Sequence, residues 1–173
     1  DFNEIDRYLI PQEQIFEYLT AIQEINHWSL DANSTPLIKG YLSFWKKVDS
    51  YYSRLTTHLL QKRVGYQGLI YREAVENLEV YTQNNPHKSH VFLGFNALNA
   101  SEATIIQELL QQEKAAIYWD IDQTFIDTPY HDAGFFIRQH RKKWPHFQSH
   151  PFKWISNQYA TPKNISIVGT PKN

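Results

Sequence analysis

Cysteine is absent from this chain of 173 residues, which rules out a disulfide framework and any thiolate metal site within it. Methionine is absent as well. No stretch approaches the ~18–20 consecutive apolar residues that span a bilayer, and the N-terminus does not read as a secretory signal peptide. The expectation is a cytoplasmic protein with no membrane partner. There is no Gly-x-x-x-x-Gly-Lys-Ser/Thr loop, no Gly-x-Gly-x-x-Gly fingerprint and no Gly-x-Ser-x-Gly elbow. Those motifs place phosphates or a nucleophile on a strand-to-helix turn. Hydrolysis of ATP or of an ester therefore has no visible apparatus in this chain. The sequence opens at Asp1 without an initiator Met and closes on residues 165–173, which read as a strand with nothing after it to pack beside. This leads us to expect an internal piece of a longer protein.

One absence is regional. All 18 acidic residues lie in residues 1–132, where they face 10 Lys or Arg for a net charge of −8. Residues 133–173 hold 7 Lys or Arg and no acid, a net +7 hidden inside an overall −1. Such a split points to a phosphate-bearing partner, or to oppositely charged lobes packed together. What is present supports a real core: 42% of residues are hydrophobic and 15% aromatic. The length suits one domain, or a domain with an appendage.

The N-terminal half reads as helical. Residues 6–11 lead into a helix with Pro11 in its first turn and Glu13 near its positive end. Ile15, Tyr18, Leu19, Ile22 and Ile25 recur at helical spacing, and the helix is expected to end near His27. After a turn-rich connector at 29–36, one long helix is expected over 36–62. Its stripe is Tyr41, Phe44, Trp45, Val48, Tyr51, Tyr52, Leu55, Leu59 and Leu60, which reads as core rather than as a base-stacking surface. Gly65 and Gly68 break it. A third helix over 69–81 places Arg72 and Glu76 at i,i+4. Asn84-Asn85-Pro86 marks a domain boundary within 82–89.

The stretch 91–124 is a strand, a capped helix and a second strand, a βαβ unit of a parallel sheet. The first strand, 90–95, is a continuous apolar run expected to be buried on both faces, with Gly94 admitting another backbone. Asn99 and Glu102 form a capping-box pattern. Ile105, Ile106, Leu109 and Leu110 then face the sheet, and residues 115–119 form the second strand. A helix is expected over 127–143, stopped by Trp144-Pro145. A short helix after Pro151 and a last strand at 165–168 complete the expectation.

Three constellations are candidates for chemistry. Asp120-x-Asp122-x-Thr124 follows an apolar strand and resembles the first motif of the haloacid-dehalogenase-like phosphatases. The resemblance implies Asp120 as nucleophile, Asp122 as leaving-group acid and a bridging magnesium. Against it, only 49 residues follow Thr124, with no acid beyond Asp132, so the second acidic pair for the metal is missing. The bland reading is that both Asp residues cap the strand end and the next helix. His140, His146 and His150 are spaced for a metal, but no carboxylate accompanies them, and packing or surface histidines are expected. Arg138, Arg141, Lys142, Lys143, Trp144, Phe147, Phe152, Lys153 and Trp154 interleave cations with aromatics. Cations track phosphates and aromatic faces stack bases, so residues 138–154 are the candidate single-strand binding surface.

Tyr66-x-Gly68-x-x-Tyr71-Arg72, then Val91-Phe92-Leu93-Gly94-Phe95-Asn96-Ala97-Leu98 with Glu102, then Tyr118-Trp119-Asp120-x-Asp122, then His131-Asp132-Ala133-Gly134-x-x-Ile137-Arg138 occur in that order. As an ordered set they resemble the AddB-type subunits of bacterial helicase–nucleases, especially inactivated superfamily I helicase versions. The resemblance covers most of the chain. It implies an α/β fold: a mainly helical insertion-like region (1–86), a partial RecA-like βαβ unit of a P-loop helicase-like sheet (87–128), and a basic helical connection with the start of a second RecA-like strand (129–173). It further implies a much longer parent with a nuclease domain, acting in DNA double-strand-break repair with DNA and an AddA-type motor subunit as partners. Neither an ATP loop nor a nuclease motif falls in this stretch, so no catalytic residue, cofactor or metal is expected here. Two alternatives stand beside this reading: the magnesium-dependent phosphatase and a protein-interaction module.

Overall fold

The structure, a computed structural model, describes residues 1–28, 36–153 and 155–169. The chain is mainly helical with a small two-stranded parallel sheet, α/β in the coarse sense. It divides into two compact units. Unit 1 is Asp1–Pro86 with Asn99–Ile105, and unit 2 is His87–Leu98 with Ile106–Asn173. No helix among the described residues is long and apolar enough to cross a membrane.

Unit 1 begins with a helix the sequence reading did not contain, α1 (Phe2–Arg7). The Asp1 side chain caps it by accepting from the Glu4 N–H at 3.2 Å. It ends in a left-handed turn at Leu9 (φ 54°), where the Ile10 N–H reaches the Ile5 carbonyl (2.9 Å) and the Leu9 N–H reaches that of Asp6 (3.0 Å). This paired closure satisfies carbonyls that the helix end leaves orphaned. It is usually built on glycine, so a leucine there gave no sequence signal. Arg63 (φ 55°) and Glu113 (φ 57°) close two later helices the same way.

After α2 (Gln12–Trp28), the single helix expected over 36–62 is two, α3 (Pro36–Trp45) and α4 (Val48–Gln61). The break is local: the Lys47 N–H bonds the Phe44 carbonyl three residues back, at 2.9 Å. Trp45 and Val48, on either side of it, both pack on one cluster with Ile5, Phe16 and Tyr52. Phe2 meets Tyr52 edge-on at 5.1 Å and Phe16 at 5.9 Å. The stripe is thus only partly core. Val48 and Tyr52 are buried, while Tyr41, Phe44, Tyr51, Leu55 and Leu60 are exposed. The expected helix over 69–81 also divides, into α5 (Gln67–Glu76) and α6 (Leu78–Asn84). At the joint the Asn77 amide donates back to the Glu73 carbonyl at 2.8 Å, the competition with helix bonding that breaks helices at Asn. Gly68 sits where α5 meets α1, and a Cβ there would collide with the Asn3 carbonyl.

In unit 2, β1 (His90–Leu93) and β2 (Ala115–Tyr118) pair in parallel, His90 with Ala115 through Leu93 with Tyr118. The crossover is α7 (Ala100–Gln111). Its capping box is made as expected: the Glu102 N–H donates to Asn99 Oδ1 and the Asn99 N–H to Glu102 Oε2, each at 3.0 Å. Burial on both faces of β1 is corrected. With two strands among the described residues, Val91 and Leu93 stand 62% and 66% exposed. Gly94 is corrected too. It supplies a positive φ of 70°, its N–H bonds the Tyr118 carbonyl at 3.1 Å, and a Cβ there would meet nothing within 4 Å.

The helix expected over 127–143 is interrupted. It becomes α8 (Gln123–Asp127), a 3-10 turn at Asp132–Gly134 and α9 (Phe135–Lys143). Thr128 is forced out of the helical region by Pro129 and takes ψ 103°. A short helix, α10 (His146–Ser149), precedes Pro151, which holds His150 extended, and the short helix after Pro151 is a 3-10 turn at Gln158–Ala160. Residues 165–168 form no strand, and Ile165, Ile167 and Val168 are 80–93% exposed.

The expected Arg72–Glu76 pair is replaced by a longer-range one. Arg72 Nε lies 2.7 Å from Asp6 Oδ1, and Asp6 has no solvent exposure. Arg72→Met would strip the charge partner from a fully buried carboxylate, and the expected loss in urea unfolding is ~3–5 kcal/mol. Tyr66→Phe, which removes one neutral donor, is expected to cost ~1–3 kcal/mol.

Candidate functional site

Of the phosphatase-like triplet, Asp120 is exposed and Asp122 is buried. Asp122 ends the extended run after β2 and caps α8. Its Oδ1 accepts from the Thr124 N–H at 3.0 Å, and its Oδ2 accepts from the Tyr159 N–H at 3.1 Å and the Ser156 hydroxyl at 3.2 Å. The same stretch forms a parallel bridge to Ser156, with the Gln123 N–H on the Ser156 carbonyl at 2.7 Å. Burial pushes the Asp122 carboxyl up. The hydrogen bonds from Thr124, Tyr159 and Ser156 outweigh it and hold the group at about 2. A leaving-group acid needs the opposite shift. Thr124 is exposed and contributes to that cap.

The basic aromatic segment is sorted by burial. Arg138 straps the loop before α9, donating to the Phe125 carbonyl at 2.5 Å and the His131 carbonyl at 2.8 Å. Trp144 is 4% exposed and belongs to the core, so it presents no face to a base. It joins Trp119, Phe147, Phe152 and His140 in one aromatic cluster. In it Trp119 stacks on His140 (5.6 Å, 19°) and on Phe152 (5.9 Å, 29°). Arg141, Lys142 and Lys143 are exposed in succession at the end of α9, where cations also complement the helix dipole. The Arg141 guanidinium lies 5.9 Å over the Phe152 ring, and Lys143 reaches Gln139 at 3.2 Å. Lys153 is exposed, and Trp154 lies outside the described residues.

His140 is a packing group, set against Trp119 and Trp144. Burial pushes His140 down, against its bond to the Asn96 carbonyl (3.1 Å), and Lys143 pushes it further. His146 and His150 stack face to face, 4.4 Å apart at 7°. Parallel rings present faces rather than converging nitrogens to each other. Among the described residues no three His, Asp or Glu side chains group to hold a metal ion.

The densest polar cluster escaped the sequence reading. In unit 1, Asp6 Oδ1 accepts from the Tyr52 hydroxyl (2.5 Å) as well as from Arg72, and its Oδ2 accepts from the Tyr66 hydroxyl. Gln12 donates to the Tyr52 oxygen at 2.7 Å. Burial, and then the bond to Asp6, push both phenols above the ordinary tyrosine range. Tyr66, Gly68 and Arg72 stood in a recognisable motif, but nothing in sequence linked them to Asp6 sixty residues away. With every partner supplied by the fold and no exposure at Asp6, the cluster is a clamp. Comparison with family models, curated proteins and solved structures finds no match to this chain.

The Asp122 carboxyl is held below its ordinary value of 3.8, so its stabilising bonds are fully present above that value and vanish as pH falls towards about 2. Asp122→Asn keeps the helix cap but sets an amide against the Tyr159 N–H. Its melting temperature is expected to lie below wild type at pH 7, with the gap closing between pH 4 and pH 2 in thermal scans.

Proposed function

We propose that this chain is a non-catalytic scaffold within a helicase-derived, AddB-type DNA-repair subunit acting in the cytoplasm, and that it holds single-stranded DNA alongside an AddA-type motor. The observation that carries the reading is the exposed run Arg141, Lys142 and Lys143 at the end of α9, in a segment without a single acid from residue 133 onward. Three adjacent cations on a rigid helix end can track successive phosphates. The parallel β1–α7–β2 unit is compatible with a RecA-like sheet and supports the ordered motifs that suggested this family. No cofactor takes part in the reading. The phosphatase alternative, with magnesium at Asp120, is left without a competent acid, since Asp122 is ionised and committed to three donors.

Arg141→Glu, Lys142→Glu and Lys143→Glu together are expected to lower affinity for a short single-stranded oligonucleotide by about 100-fold or more in fluorescence anisotropy. The salt slope should flatten by about 2, at roughly 0.7 per lost phosphate contact. Unchanged affinity in a folded triple variant would sink the DNA contact. A protein-facing role has its own observation: Tyr41, Phe44 and Tyr51 are 41–50% exposed on α3 and α4, with the Phe44 and Tyr51 rings 6.0 Å apart. Exposed aromatics of this kind are favoured at interfaces. Replacing all three by Ser should abolish co-purification with an AddA-type motor and leave oligonucleotide affinity intact. Motor retained by that variant removes this role.

A further inference from the structure

Beside the charged helix end, unit 2 contains a groove of about 260 Å³ between β2 and residues 146–153. Its β2 wall runs from Ala115 to Tyr118, low at the two alanines and higher at Ile117 and Tyr118. The facing wall is aromatic: Phe147 and Phe152, half-buried, meet edge-to-face at 4.5 Å, with the buried Trp119 behind Phe152. The charged and imidazole groups on it are His146, His150 and Lys153, and among the described residues no carboxylate lines it. Its volume falls just below the ~300–1,000 Å³ of clefts for drug-sized ligands, which suits one heterocycle and its attached group. A flat apolar slot with half-buried rings on one side and only basic groups on its rim selects a ligand that is aromatic at one end and anionic at the other.

We propose that this groove takes a single unpaired nucleotide of a DNA strand, its base against Phe147 and Phe152 and its phosphate against His146, His150 and Lys153. This rests on the DNA-contact reading of the α9 end and adds to it a place for a base. The two sites adjoin, because Arg141 of the helix end lies over the Phe152 ring that walls the groove. The His146 imidazole makes the contact pH-sensitive. Burial, then His150 and Lys153, disfavour the charged form of His146. Besides these, the titratable group on the groove is Tyr118. A phosphate supplies the missing opposite charge, so binding takes up protons and tightens as pH falls from 7.5 to 6.

The test uses the full chain and two probes of equal length, an oligothymidylate and an abasic backbone of the same phosphate count. Wild type should bind the base-bearing probe about 10-fold more tightly, the scale of one stacked base. Ala116→Phe fills the groove from an exposed strand position and should erase that preference. His146→Gln, which does not alter the strand, should remove the tightening at pH 6. Equal affinity of wild type for both probes, or a preference that survives Ala116→Phe, overturns the groove as a base site. If the triple charge reversal at α9 still abolishes binding in that case, the DNA reading stands without it. If wild type binds neither probe, both readings fall.

Discussion

Asp6 is a carboxylate taken wholly out of water, and unit 1 is arranged around satisfying it. Removing such a group from solvent costs several kcal/mol unless charge and hydrogen bonds replace what water gave. The replacements come from Tyr52 on α4, Tyr66 ahead of α5 and Arg72 within α5. Arg72 also donates to the carbonyls of Ile5 (3.1 Å) and Ile10 (2.8 Å), so the same guanidinium that neutralises Asp6 closes the end of α1. The approach this demands is possible only because residue 68 has no side chain. The hydrophobic cluster of Ile5, Phe16, Val48 and Tyr52 lies against the same point, so apolar packing and polar satisfaction share Tyr52.

Unit 2 solves a smaller version of the same problem. Asp122 gathers donors from its own helix and from the chain near residues 156–159, which ties a late, mostly irregular segment back to the strand end. The aromatic cluster of Trp119, Trp144, Phe147 and Phe152 does for this unit what Phe2, Phe16 and Tyr52 do for the other. Around that rigid interior the acid-free surface is left to solvent. The separation matters for the candidate site: residues the sequence grouped as one stacking surface fall into a buried half, Trp144 and the strap Arg138, and an exposed half, Arg141, Lys142, Lys143 and Lys153.

What was legible in the sequence was local. The capping box of Asn99 and Glu102 and the helix stop at Trp144-Pro145 depend on neighbours a few residues apart, and the parallel pairing of the two apolar runs follows from the single helix that connects them. Helix breaks without Gly or Pro were not legible: Lys47 yields to packing on either side of it, and Leu9 closes an unforeseen helix in a conformation usually reserved for glycine. Pro129 and Pro151 were visible, but their effect on Thr128 and His150 was misjudged. The Asp6 clamp was invisible because its partners are 46 to 66 residues distant and no spacing rule joins them. Alternating or continuous apolar runs could not reveal burial either, since Val91 and Leu93 read as core and stand exposed.

The clamp also imposes an order on assembly. A six-residue helix cannot hold itself together in water, and α1 carries an acid that is tolerable inside only once Arg72 is beside it. During synthesis α1 must therefore wait for the chain to reach α5. Its last fastening comes later still, when the Ser101 hydroxyl reaches the Arg7 carbonyl at 3.0 Å. A nascent chain cut short before residue 72 would carry Asp6 outward, in solvent, rather than at the centre of a unit.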